Sequence, residues 1–335
     1  MCFLSIAIVI RELQNPAIQM KHADAAFRLF LAPLVLGLIY HSKSANIKTI
    51  RWSWLFAVIL MITSGGINYI ATQDIRLHSH FTNTIPYAAF CAAFSLLYVS
   101  TEHSNKILST ICLILAGILI FLSQSRGVWI GFTLALIFIS IKKYDLPIKK
   151  ITSVIIASTV LAYICSDIFH SRIHITLTEI INSLHGVREG SVGIRIDLAR
   201  ASYYIFMNNP IFGVGRDISS ALNSLYTTGH ISKLAATEAD THGELVYNAA
   251  SLGIVGIIYY IIFYTYTTLP FIKAMKSTKT YDIGIAGTAI SIIFFFTGFT
   301  HITFGLSMYA SIYACIQAVL LANLLPSPEI HPIKT

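Results

Sequence analysis

Residues 230–262 read HISKLAATEADTHGELVYNAASLGIVGIIYYII, and the character of the chain changes inside that stretch. Up to His242 it is polar and charged; beyond Glu244 it stays apolar long enough for a helix to cross about 30 Å of hydrocarbon. The polar side reaches back a long way, so a hydrophilic interruption over roughly 168–243 sits in an otherwise membrane-like sequence. Unstructured connections of that length are uncommon in compact proteins, so the interruption is expected to fold and to carry chemistry. It holds five of the ten arginines: Arg172, Arg188, Arg195, Arg200 and Arg216.

Composition agrees with the membrane class. Hydrophobic residues make up 55% of 335 positions and charged residues 11%, where soluble domains carry about a quarter charged. Mean hydropathy is +0.71. The net charge of +8 is spread between apolar runs rather than gathered on one polar face, which excludes nucleic acid as a partner and leaves membrane lipids. Cys2, Cys91, Cys112, Cys165 and Cys315 lie in or beside apolar runs without paired spacing. They read as small hydrophobes rather than a disulfide framework or zinc site.

Apolar runs near 25–41, 52–71, 85–100, 107–123, 127–141, 150–167, 244–268, 283–300 and 302–324 predict about nine full spans. Met1–Ile10 is short and lacks a basic flank, so it reads as the tail of a further membrane helix. The expected fold is an all-α polytopic transmembrane bundle of about nine spans plus an N-terminal fragment, with one large, partly helical extracytoplasmic loop. The expected organisation is 1–167 for N-terminal helices, 168–243 for the loop, and 244–335 for C-terminal helices and a short tail.

Lysines orient this bundle. Lys43, Lys48, Lys106, Lys142, Lys143, Lys149, Lys150, Lys273, Lys276, Lys279 and Lys334 share one face if the spans alternate, with only Lys21 and Lys233 opposite. That face is cytoplasmic by the positive-inside rule, and the loop lies outside. Arginines do the reverse: Arg51 is inside, while Arg11, Arg28, Arg76, Arg126 and the loop arginines are outside. Insertion treats both residue types alike, whereas the planar guanidinium suits phosphate and carboxylate. The split points to an anionic, phosphate-bearing ligand at the outer face. Pairing with acids accounts for some, such as Arg188 beside Glu189 and Arg216 beside Asp217.

Three motifs can carry chemistry. Ser123-Gln124-Ser125-Arg126-Gly127-Val128-Trp129 is a tight polar turn between two apolar helices, and a charge there is costly unless paired or used. Gly193-Ile194-Arg195-Ile196-Asp197-Leu198-Ala199-Arg200 opens a helix through Asn208, ended by Pro210 and Gly213-Val214-Gly215. Ile194, Leu198, Ala201 and Ile205 form its packing face. Arg195 sits at its first turn, where backbone N–H groups favour anions, and Arg200 reads as solvated surface. Glu238-Ala239-Asp240-Thr241-His242-Gly243-Glu244 admits three readings: a metal site of His242, Asp240 and Glu244 in no standard ligand spacing, a general base at His242, or a helix-capping histidine. His170, His174, His185, His230 and His301 compete for the histidine role.

Taken in order, SRG-x-W in a turn, the helix opened by Arg195 and followed by P-x2-G-x-G in an outer loop, then H-x-x-L before Leu252-Gly253-Ile254-Val255-Gly256 resemble the O-antigen ligase family. That group of bacterial inner-membrane glycosyltransferases also contains O-antigen polymerases and protein O-oligosaccharyltransferases. The resemblance runs over roughly 110–325. It implies metal-independent, cofactor-free, inverting transfer of a glycan from an undecaprenyl-diphosphate donor to a hydroxyl of a lipid A–core acceptor. The site would face the periplasm from a multi-pass inner-membrane protein. By position Arg126, Arg195 and His242 match the family's turn arginine, loop-helix arginine and loop-closing histidine. The arginines would grip the diphosphate and His242 would take the acceptor proton; Arg28 and Arg76 are added as substrate-binding residues from charge and topology. The resemblance also implies further helices before Met1, and Gly243-Glu244 departs from the polar-then-aromatic pair many relatives carry.

A polymerase using the same donor, or a transporter or flippase for a lipid-linked or anionic substrate, are the alternatives. Transporters tend to show paired repeats and mid-membrane charges, whereas strong charges here avoid span centres.

Overall fold

The computed structural model describes residues 6, 24–25, 27–42, 46–102, 104–188 and 190–326. Apart from Ile6 the fragment at Met1–Ile10 lies outside these, as do Arg11, Lys21, Lys43, Lys334 and the side chain of Arg172. Among the described residues the chain is helical, without strands: α1 (Leu31–Ser42), α2 (Ile47–Thr72), α3 (Thr84–Thr101), α4 (Lys106–Leu122), α5 (Arg126–Tyr144), α6 (Ile148–Cys165), α7 (Asp167–Leu184), α8 (Gly190–Asn208), α9 (Ser219–Thr227), α10 (Lys233–Ala236), α11 (Glu244–Ala274), α12 (Tyr281–Gly298) and α13 (Ser307–Ala322).

The expectation of about nine full spans is met in part. Six of these helices, α2, α3, α5, α6, α11 and α12, are long and apolar enough to cross a membrane. Runs 25–41, 107–123 and 302–324 instead form the shorter apolar helices α1, α4 and α13. Two of these runs exceed their helices, which have 12 residues in α1 and 16 in α13, while α4 has 17 and starts after Asn105, whose side chain accepts from the Leu108 N–H at 2.9 Å.

Helices α3 and α12 form the centre of the bundle. Helix α3 packs against α2, α4 and α12, and α12 against α5 and α11. Ala88, Ala89, Ala92 and Ala93 on α3 and Gly284, Ala286, Gly287 and Ala289 on α12 are fully packed, because small residues let helix backbones approach closely. Helix α6 does the opposite: Val154, Ile156, Val160, Leu161 and Ile164 are exposed, as suits a helix facing lipid.

Arginines and lysines mark opposite ends of α5, which runs from Arg126 to Lys142 and Lys143. At the lysine end, the Lys143 ammonium donates to the carbonyls of Val99, Ser100 and Glu102 at 2.7–2.9 Å. It thereby satisfies the free C-terminal carbonyls of α3. The Glu102 carboxylate pairs with Arg51 at 3.1 Å.

The loop region folds as α7 through α10. Leu198, Ala201 and Ile205 of α8 are buried with Ile218, Leu222 and Ala235 from the loop and Tyr247 and Ala250 of α11. The expected face of this helix therefore packs, and it packs on α11. Its end is fixed by a break in α11 at Gly253, whose φ of 65° and ψ of −149° are not helical. The Ile254 N–H, released from the helix ladder, donates to the Pro210 carbonyl at 2.8 Å. In return, the Val214 and Gly215 N–H groups donate to the carbonyls of Ala250 and Ser251 at 3.1 and 2.9 Å. The P-x2-G-x-G and L-G-I-V-G motifs are thus two halves of one joint. A Cβ on Gly253 would lie 2.5 Å from the backbone of Ile211. Gly253→Ala is expected to cost at least about 3 kcal/mol, since this backbone region is open essentially to glycine alone. A thermal melt in detergent reads the loss.

Candidate functional site

At the arginine end of α5, three elements converge: the turn before α5, the first turns of α8, and the segment between α10 and α11. The turn is built by Gln124 in the left-handed region, φ 56°, with its amide donating to the Ile75 carbonyl at 3.1 Å. Arg76 closes the same turn by donating from Nε to the Ser123 carbonyl at 3.1 Å. Gly127 lets this turn press on Thr300, which a Cβ would strike. Arg126 donates from Nη1 to the Thr176 hydroxyl on α7.

Arg76, Arg126 and Arg195 line one pocket of about 110 Å³ together with Gln124, Ser191 and Thr300. Arg195 projects from α8, whose N-terminus is capped from α7: the Glu179 carboxylate accepts from the Ser191 and Val192 N–H groups, each at 3.3 Å. The Arg195 Nε is buried with no hydrogen-bond partner among the described residues. Burial first, and then repulsion by Arg126, hold its guanidinium below the ordinary arginine range, with Glu179 opposing. Converging cations with a buried donor left over are the features that an anion site requires.

Arg195 also lines a second cavity of about 640 Å³, with His242, Glu238, His301, His78 and the start of α3. His242 adopts φ 53°, a turn fixed by its N–H donating to Asp240 Oδ1 at 2.7 Å. The imidazole lies between two carboxylates: Nδ1 is 3.1 Å from Asp240 and Nε2 is 3.2 Å from Glu238. Its pKa is raised by the Asp240 bond above all; burial and Arg195 oppose, and Glu238 adds to the rise. The same pairing holds the Asp240 carboxyl below its usual value against a burial effect of opposite sign. His301 is pushed the other way, down to about 4, mainly by burial, so it stays neutral near pH 7.

Arg126, Arg195, His242 and Arg76 are thus brought to adjoining cavities that share Ile85, Ser191, Arg195 and Thr300. Arg28 is not among their lining residues; it pairs with Asp24 at 3.2 Å, and Asp24 accepts from the Ser307 hydroxyl. Other loop arginines serve the scaffold. Arg188 pairs with the fully buried Asp197 at 2.6 Å. Arg216 is buried, donates to Asn248 at 3.0 Å and lies 4.4 Å over the Tyr247 ring. Arg200 lies 5.7 Å from the Tyr204 ring.

Glu244 does not join His242 and Asp240. Its buried carboxylate accepts from the Thr303 and Phe304 N–H groups at 2.6 and 3.0 Å and from the Asn248 amide at 3.2 Å. It pins the turn between α12 and α13 onto α11. The metal reading of His242, Asp240 and Glu244 therefore loses its third ligand. The sequence reading left Glu238 unassigned and His301 as one histidine among several. Glu238 precedes His242 by four residues, a spacing that signals an ion pair, whereas His301 comes from a separate helix junction that periodicity does not reveal.

The family model described as O-Antigen ligase matches residues 111–261. No curated protein matches the chain. The matched stretch contains the turn arginine, the loop helices, His242 and the Gly253 joint; Arg28, Arg76 and the last two helices lie outside it.

Proposed function

On the premise that residues 111–261 carry the O-antigen ligase family's region, we propose that this protein transfers a glycan from undecaprenyl diphosphate to a hydroxyl of lipid A–core at the periplasmic face of the inner membrane. A transferase of the O-antigen ligase and polymerase type, in a multi-pass membrane protein, is what the match and the apolar helices support directly. The observation that carries the finer reading is the anion pocket of Arg76, Arg126 and Arg195 opening onto the His242 cavity.

In this reading the diphosphate sits on the three guanidinium groups, which stabilise the charge that builds as the bond from anomeric carbon to phosphate oxygen breaks. The acceptor hydroxyl replaces Glu238 at His242 Nε2 and passes its proton there as its oxygen bonds to the anomeric carbon. Asp240 holds Nδ1–H, fixing the tautomer and stabilising the imidazolium that forms. Undecaprenyl diphosphate leaves, and the anomeric configuration inverts in the single displacement.

A strain lacking this protein should accumulate undecaprenyl-linked glycan beside unsubstituted lipid A–core, and a plasmid copy should restore the ladder on core. Core carrying a single repeat unit in the deletion strain would instead assign polymerase activity.

A further inference from the structure

A third cavity continues the row. It has a volume of about 560 Å³ and is lined by Asn68, Thr72, His80, Phe81, Asn83 and Ser307, among others. It shares His78, Asn83 and Pro86 with the His242 cavity, as that cavity shares Ile85 and Arg195 with the arginine pocket. The order is therefore arginine pocket, histidine cavity, polar cavity. Among the described residues, no arginine or lysine lines the third.

We propose that this third cavity is the subsite for the acceptor saccharide and takes an uncharged sugar; the proposal rests on the donor reading above. Direct displacement requires the attacking oxygen to approach opposite the departing diphosphate. With the diphosphate on the arginines and the base at His242, the acceptor enters from the far side of His242, where this cavity lies.

The lining fits that ligand chemically. A neutral saccharide offers hydroxyls that both donate and accept, and a C–H face that packs on apolar surface. Amide and hydroxyl side chains answer the first. Asn83 precedes α3 but its side chain makes no capping bond, leaving its amide for a ligand. Phe81 answers the second, being 63% exposed in a lining that also holds Leu306, Met308 and Tyr309. The walls are set in advance: the Ser79 and Thr82 hydroxyls bond at 2.8 Å, His78 meets Asp74 at 3.0 Å, and Ser307 donates to Asp24. Arg28, which holds Asp24, supports this end of the row rather than the diphosphate end.

The test uses the purified full chain and the variants Asn83→Ala and Phe81→Ala, each checked by thermal melt. Core oligosaccharide released from lipid A, and inorganic pyrophosphate, are titrated separately by calorimetry. Each variant should weaken oligosaccharide binding about tenfold, the value of one lost hydrogen bond or stacking contact, with pyrophosphate affinity unchanged. In transfer assays the KM for lipid A–core should rise by the same factor while the donor KM stays constant. Unchanged oligosaccharide binding in a folded Asn83→Ala protein, or a rise in donor KM instead, overturns the subsite. Binding that behaves as described in a protein that transfers nothing leaves the subsite standing and removes the transferase reading.

Discussion

Replacing His242 with alanine is expected to lower transfer by about 10²–10⁴-fold, the range a positioned general base supplies, with membrane insertion and melting temperature little changed. Asp240, Glu238 and Arg195 act directly on this imidazole, and His301 lies in the same cavity. The net effect of these neighbours raises the His242 pKa above 6.5. A base must be neutral, so activity should fall as pH drops through that raised value, placing the acid limb above the position of an ordinary histidine. Asp240→Asn removes the largest cause of the rise and should move the limb to lower pH. Stability carries the opposite sign: the raised pKa stabilises the fold fully below pH about 6.5 and the contribution fades as pH rises through the folded value. His301, held neutral by burial, instead costs stability as pH falls from about 6.5 towards about 4. Retained activity in His242→Ala would take the base role from this residue.

Arg195→Lys is the second large effect. Lysine keeps the charge but loses the planar fork and the buried Nε donor. A loss of about 10²–10³-fold in kcat/KM is expected, comparable to removing one preorganised donor from a developing anion. Arg126→Lys should lose activity for the same reason, with the added loss of its bond to Thr176. Arg200→Lys is the control: it lies on the same helix, over the Tyr204 ring, and should leave kcat/KM unchanged. Equal loss in Arg200→Lys would mean that α8 responds to any substitution and that Arg195 has no special part. Initial rates at varied donor concentration separate these outcomes.

The helical fold was legible because apolar runs and lysine positions are local signals. Span length was less so, as with α1 and α13, whose 12 and 16 residues fall short of the apolar runs that predicted them. Helix α7 was hidden because Asp167–Leu184 mixes polar and apolar residues, and only its packing against α6 and α8 makes it an element. The α8 face was readable at Ile194, Leu198, Ala201 and Ile205 since helical spacing exposes it. The Gly253 joint was not, because its partner segment, Pro210–Gly215, is remote in sequence and the link is made by backbone bonds.

For the site, residue type and order singled out Arg126, Arg195 and His242. Arg76 joined them through charge and topology, and it lines the same pocket as Arg126 and Arg195. The same argument placed Arg28 with them, where it is not found: Asp24 lies four residues earlier on the same turn of chain. That spacing alone is a sequence signal for an ion pair. Glu238 faces Nε2 of the His242 imidazole at 3.2 Å. The four-residue spacing from Glu238 to His242 is itself a sequence signal for such a pair.

Proteoliposomes holding only this protein, undecaprenyl-diphosphate-linked glycan and lipid A–core test the transfer reaction most directly. Glycan should move onto core with release of undecaprenyl diphosphate by the wild-type chain, and His242→Ala vesicles should leave both substrates intact. Glycan that lengthens on its lipid carrier while the core stays bare, or equal transfer by both proteins, would contradict it.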